Sequence, residues 1–169
     1  GAQGVFPYEI RVLDKDGLTR QGRDPYSFLP VLGDLDMQLF NEGNHFRTYE
    51  KFGAHIIEHG GATGVVFAVW APNAERVSVI GDFNRWDGRT HPMRQRGSSG
   101  IWELFIPDLG EGTAYKYEVK AKSGAVVQKT DPQGFFAEPR PKTASIVRDI
   151  GKHTWGDAAW LAQRAKGDL

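Results

Sequence analysis

Apolar residues in this chain recur with a period of two far more often than with the 3.6 of a helix. From Val5 to Leu13 the residues read V-F-P-Y-E-I-R-V-L, which sets Tyr8, Ile10 and Val12 on one face of a strand. Asp14-Lys15-Asp16-Gly17 is a hairpin signal, and Leu18 to Gln21 can form a short return strand. Gly22 to Tyr49 is a long irregular stretch that contains the turn-rich D-P-Y-S-F-L-P; within it, Asp34 to Phe40 predicts one or two helical turns. Long loops in compact domains are functional or pack against something else, so this segment is expected to have a partner.

From Phe52 onward the punctuation is regular. Ala54–Glu58 and Gly64–Trp70 flank Gly60-Gly61 as a hairpin. Val65, Phe67 and Val69 alternate with Val66, Ala68 and Trp70, so both faces are apolar, which predicts a central strand. Arg76–Gly81 puts Val77 and Val79 on one face, and Ile101–Ile106 is closed by Pro107. In Thr113–Lys120, Tyr115, Tyr117 and Val119 face one way and Lys116, Glu118 and Lys120 the other. Ser123-Gly124 turns into Ala125–Lys129, and Ser145–Asp149 is a last short strand. Short strands at ~8–12 residue spacing with turns between them predict an all-β, antiparallel β-sandwich. The tail differs: Thr154-Trp155-Gly156-Asp157 leads into a short helical stretch, Ala158 to Lys166, whose Trp160 and Leu161 have little nearby to bury against. It reads as the start of a connection to another domain.

Composition narrows the function classes. At 169 residues the chain can bury roughly 69% of its unfolded surface, enough for one core with an appendage. Lys+Arg and Asp+Glu both number 21, so no global positive charge exists to release counterions from nucleic acid. No apolar run approaches the ~20 residues of a membrane span, and the N-terminus lacks the pattern of a secretion signal. Cysteine is absent, which removes disulfides, thiolate metal sites and a Cys nucleophile and makes the cytoplasm the default location.

The candidate chemistry is sparse. Gly81-Asp82-Phe83-Asn84-Arg85-Trp86 follows a strand directly. Trp86 among polar groups suits stacking on the apolar face of a pyranose, but aromatics are usually structural, and the residues alone favour Phe83 and Trp86 as core plugs that anchor a loop. Lys116 could donate to sugar hydroxyls or be a solvated edge lysine. His45, His55 and His59 have metal-like spacing, and His55 and His59 would share a strand face, yet no third or fourth ligand is visible near by, so no metal and no cofactor is expected. No pair of carboxylates sits in a motif that marks an acid and a nucleophile. Ser98-Ser99 lacks the nucleophile-elbow context, and Gly60 to Gly64 lacks the phosphate-loop lysine. Catalysis by this chain alone is not expected.

V-S-V-I-G-D-F-N-R-W-D, from Val77 to Asp87, resembles the signature of the family 48 carbohydrate-binding modules, which accompany α-glucan enzymes of glycoside hydrolase family 13. I-W-E-L-F-I-P-D-L-G-E-G-T-A-Y-K-Y-E-V from Ile101 to Val119 and T-D-P at Thr130 to Pro132 match in order. Upstream, D-P-Y-S-F-L-P-V-L-G-D-L-D from Asp24 and E-G-N-H-F-R-T-Y-E-K-F-G-A-H from Glu42 are similar to bacterial glycogen branching enzymes, as are D-P-Q-G-F-F-A-E-P-R-P from Asp131 and the H-T-W-G-D tail.

The resemblance implies an immunoglobulin-like sandwich over residues 49–150, preceded by the remnant of an N-terminal domain and a linker over 1–48. Residues 151–169 would then form a tail leading to a catalytic barrel. It implies a non-catalytic module of a 1,4-α-glucan branching enzyme that packs on that barrel and touches α-glucan weakly, with no nucleic-acid or membrane partner. A stand-alone glycogen-binding or regulatory interaction domain is the alternative. Sugar-binding members use a Trp after the turn, a Lys on a neighbouring strand and a second Trp shortly before the D-P pair. Trp86 and Lys116 match the first two, and Asn84 of the same turn completes the candidate carbohydrate-binding set. Ala125, Val126, Val127 and Gln128 stand where the second Trp would be. A single aromatic platform is worth ~1–3 kcal/mol, so the expected affinity is at best millimolar, about −4 kcal/mol.

Overall fold

A computed structural model describes residues 8–13, 17, 19–152, 156–165 and 167. It contains β1 (Glu9–Leu13), β2 (Thr19–Arg23), α1 (Asp34–Asn41), β3 (Gly53–His59), β4 (Ala62–Trp70), β5 (Ala74–Gly81) and β6 (Arg94–Gln95). β7 (Ile101–Pro107), β8 (Ala114–Ala121), β9 (Val126–Lys129), β10 (Phe136–Ala137), β11 (Ser145–Ile146) and α2 (Ala158–Arg164) follow. β1 and β2 form a separate antiparallel pair. The expected Asp-Gly turn between them lies largely outside the described residues, as does Trp155.

Two antiparallel sheets make the sandwich. One has the order β3-β4-β7-β6; the other has the order β10-β11-β8-β5, with β9 also paired to β8. Period-two alternation decides the interior. Val65, Phe67 and Val69 of β4 stand opposite Ile106, Leu104 and Trp102 of β7, and all of them face inward. Val77 and Val79 of β5, with Tyr115 and Tyr117 of β8, close the core from the second sheet. Tyr115 and Tyr117 are buried to the hydroxyl because both donate to the carboxylate of Asp131, at 2.6 and 3.0 Å. Asp131 belongs to the T-D-P block, and burial raises its carboxyl above the ordinary aspartate range.

The long irregular segment finds its partner on the outer face of the four-stranded sheet. Phe28 packs on Val66, Phe105 and Ala62. Leu32 and Phe52, backed by Met37 and Phe40 of α1, pack on Ala68 and Ile101. This is why β4 is apolar on both faces. Between these two clusters lies Glu103 of β7, only 2% exposed in an otherwise apolar row. It accepts from the backbone N–H groups of Val31 and of Leu32, the latter at 3.1 Å. Arg94 and Arg96 complete the clamp: Arg94 donates to the carbonyls of Phe28 (2.6 Å) and Tyr26, and Arg96 to that of Leu32 (2.8 Å). Burial lifts the Glu103 carboxyl above the ordinary glutamate range; the two N–H donors and the arginines oppose that lift.

Differences from the expected elements are local. The last strand stops at Ile146 because Val147 leaves the ladder to exchange backbone bonds with Gly112 and Thr113. β6 and β10, two residues each, carry too short a pattern to be read from sequence. The histidines do not converge: His55 bonds the Phe52 carbonyl, His59 the Leu29 carbonyl, and His45 pairs with Asp36.

Candidate functional site

The site grows from the end of β5. After Gly81 the chain enters a short 3-10 turn, Asp82–Asn84, and then holds two successive non-glycine residues in the left-handed region, Arg85 at φ 56° and Trp86 at φ 59°. Each such residue costs ~1–2 kcal/mol. Asn84 offsets this from inside the turn. Its side-chain oxygen accepts from Gly81 N–H at 2.9 Å. Its amide donates to the Val79 carbonyl at 2.9 Å and lies 3.0 Å from His91 Nδ1. Burial lowers the His91 imidazole below its ordinary value, in keeping with a neutral ring whose Nδ1 accepts that bond. Asp87 braces the far side of the turn, and its bonds from Arg89 hold the carboxyl down at about 2.

Phe83 and Trp86 part company in this turn. Phe83 packs against the sandwich core and edge-on to His91. Trp86 points the other way, with Nε1 donating to Asp82 Oδ1 at 2.8 Å, a bond that fixes the plane of the indole. Lys116 comes from β8, a strand paired on both sides, and its ammonium sits 5.8 Å from the centre of the Trp86 ring. That is within cation–π reach. Trp86 and Lys116 are thus brought together, whereas Asn84 is buried beneath them with its polar atoms spent on the protein.

Trp86, Asp82 and Lys116 line a groove of about 470 Å³, inside the ~300–1,000 Å³ range of small-molecule sites. Gln128 of β9 and the loop residues Glu138, Pro141, Lys142 and Thr143 line the remainder. The charged lining is balanced, two carboxylates against two ammonium groups, which suits a neutral polar ligand better than an anion or a cation. Sequence reasoning missed the Glu138–Thr143 wall. Those residues lie far along the chain from Trp86 and carry no local periodicity, so only the packing of that loop beside β8 brings them to the groove. Among the described residues no group of three or more His, Cys, Asp or Glu could hold a metal ion, and no helix is long and apolar enough to cross a membrane.

Residues 51–134 match the model of carbohydrate-binding module 48 (Isoamylase N-terminal domain). The chain is 55% identical over 168 residues to the 1,4-alpha-glucan branching enzyme GlgB of Paramagnetospirillum magneticum, covering 98% of this chain and 23% of that protein. It is 56% identical to GlgB of Thermosynechococcus vestitus over 95% of this chain and 21% of that one. A pullulanase from Anoxybacillus sp. LM18-11, solved with maltotriose, superposes with a TM-score of 0.51 over 83% of this chain and 18% of its own, at 20% identity, which shows a shared fold. The chain therefore spans about a fifth of the length of the curated relatives it matches, and residues 51–134 belong to the carbohydrate-binding module 48 family.

Proposed function

We propose that this chain is the non-catalytic N-terminal module of a cytoplasmic 1,4-α-glucan branching enzyme, and that the Trp86–Lys116 groove holds α-glucan weakly. In this reading residues 49–150 are the module, 1–48 carry the end of a preceding domain and its linker, and 151–169 lead to the catalytic barrel on which the module packs. The half-exposed Trp160 and Leu161 of α2 suit such a contact. The observation that carries the glucan reading is the indole of Trp86, presented from a left-handed backbone and locked to Asp82, in a groove of balanced charge. An indole face stacks on the apolar face of a glucosyl ring, and the surrounding polar groups meet its hydroxyls. Asn84 acts beneath the site by holding the turn.

The test is a maltoheptaose titration followed by amide and indole NMR, beside Trp86→Ala. The expected result is a millimolar isotherm whose shifts cluster on Trp86, Lys116 and Gln128 and vanish in the variant. Unmoved resonances at the highest soluble sugar concentration would overturn the reading and leave the module an architectural part.

A further inference from the structure

Trp86 is the one aromatic among the described residues that line the groove, and the residues that share it are mostly polar. Among them, Glu138 is held at three points. Its backbone N–H donates to the Ala144 carbonyl at 2.9 Å, and its Oε2 accepts from the Ala144 N–H at 3.2 Å. Its Oε1 lies 3.3 Å from Lys142 Nζ. The two Ala144 bonds close a small ring between strand end and loop, so the carboxylate is fixed before any ligand arrives. The side chain is 17% exposed while that of Lys142 is 73% exposed, so the lysine can swing away and the carboxylate cannot. A carboxylate has about four lone-pair positions; here Ala144 and Lys142 use two.

We infer that Glu138 is a specificity-determining residue of this groove, whose free lone pairs accept hydrogen bonds from adjacent hydroxyls of the glucosyl unit stacked on Trp86. The inference rests on the glucan reading above. Three physical points carry it. Hydroxyl-to-carboxylate bonds are charge-assisted and short, stronger than bonds between neutral groups. A carboxylate pinned by the backbone has no rotamer entropy left to lose on binding. Lys116 is a donor and Asp82 spends one carboxylate oxygen on the Trp86 indole, so Glu138 adds the fixed acceptors that a donor–acceptor hydroxyl array needs. Glu138 thereby does by directed polar contact what a second ring does by stacking. The groove favours a ligand with a free vicinal diol over one that offers only an apolar face.

The decisive experiment titrates maltoheptaose into the wild-type chain while reading two probes at once, the Trp86 indole N–H and the side-chain carboxyl carbon of Glu138. Both are expected to move with one isotherm. Glu138→Gln keeps the shape and one acceptor for the Ala144 N–H, and the Ala144 amide resonance reports whether the loop is retained. With that resonance in place, the variant is expected to bind about five- to tenfold more weakly, whereas Lys142→Met binds as well as wild type or better. An indole that moves while the Glu138 carboxyl stays still would overturn the inference and leave the glucan reading intact. So would a Glu138→Gln variant with wild-type affinity. If neither probe moves, the glucan reading fails, and the inference fails with it.

Discussion

Removing the Glu103 carboxylate is expected to detach the N-terminal segment from the sandwich. Glu103→Ala leaves the N–H groups of Val31 and Leu32 without acceptors and Arg96, 3.7 Å away, without its counter-charge. A buried donor left unsatisfied costs ~1–3 kcal/mol, and breaking a buried ion pair from one side costs ~3–5 kcal/mol. The two costs share the same atoms and do not add, so the expected loss is ~3–5 kcal/mol. That is a large share of the ~5–15 kcal/mol that holds a domain together. With a urea slope of ~2 kcal/mol/M, the denaturation midpoint falls by ~2 M. Glu103→Gln, which retains one acceptor, is expected to fall between that variant and wild type. Amide exchange gives the local signature: Val31 and Leu32 lose protection in Glu103→Ala, while Phe67 and Tyr117 keep most of theirs. A loss under ~1 kcal/mol, with Val31 and Leu32 still protected, would show that the apolar contacts of Phe28 and Leu32 hold the segment without the clamp.

Two further outcomes follow from the geometry. At Gly64 in β4 an added Cβ would stand 2.4 Å from the Ile106 carbonyl oxygen and 2.7 Å from Pro107 Cα, backbone atoms of the paired strand that cannot retreat. Gly64→Ala is thus expected to cost more than ~4 kcal/mol, against less than ~0.5 kcal/mol for Gly110→Ala in open space; equal melting curves for the two variants would refute this. Burial holds the His91 imidazole below its unfolded value of about 6.5, so the folded state favours the neutral ring. Its contribution is full above the unfolded value and is lost as pH falls through the lower folded one. Thermal melts between about pH 8 and pH 5 should therefore show an acid-side loss that His91→Gln reduces; identical profiles would remove His91 from the turn's support.

The legibility of this chain divides along a physical line. Strand positions and their buried faces were readable because burial on a pleated sheet imposes a period of two on the residues themselves, as in Tyr115–Val119, where Lys116 and Glu118 take the other face. The Gly81–Trp86 turn was readable as a candidate site because its residues are contiguous. What sequence could not assign was the direction of each side chain within that turn. Phe83 is a plug and Trp86 a platform, and only the left-handed backbone at residues 85 and 86 separates the two. Asn84 looked like a sugar contact by proximity, yet its three polar contacts all run inward.

Long-range placement lay beyond the sequence altogether. A glutamate inside the run I-W-E-L-F-I gives no sign that its partners are backbone amides some 70 residues earlier, at Val31 and Leu32. Nothing local marks Glu138 as sharing a groove with Trp86. Local pattern records which face a residue buries; which distant segment covers that face is decided only when the chain closes, because the covering contacts are made by backbone and side chains with no periodicity of their own. The sequence by itself determined the main strands, the core they bury and the turn that carries the candidate site. The tertiary structure alone decided what lies over the outer face and what completes the groove.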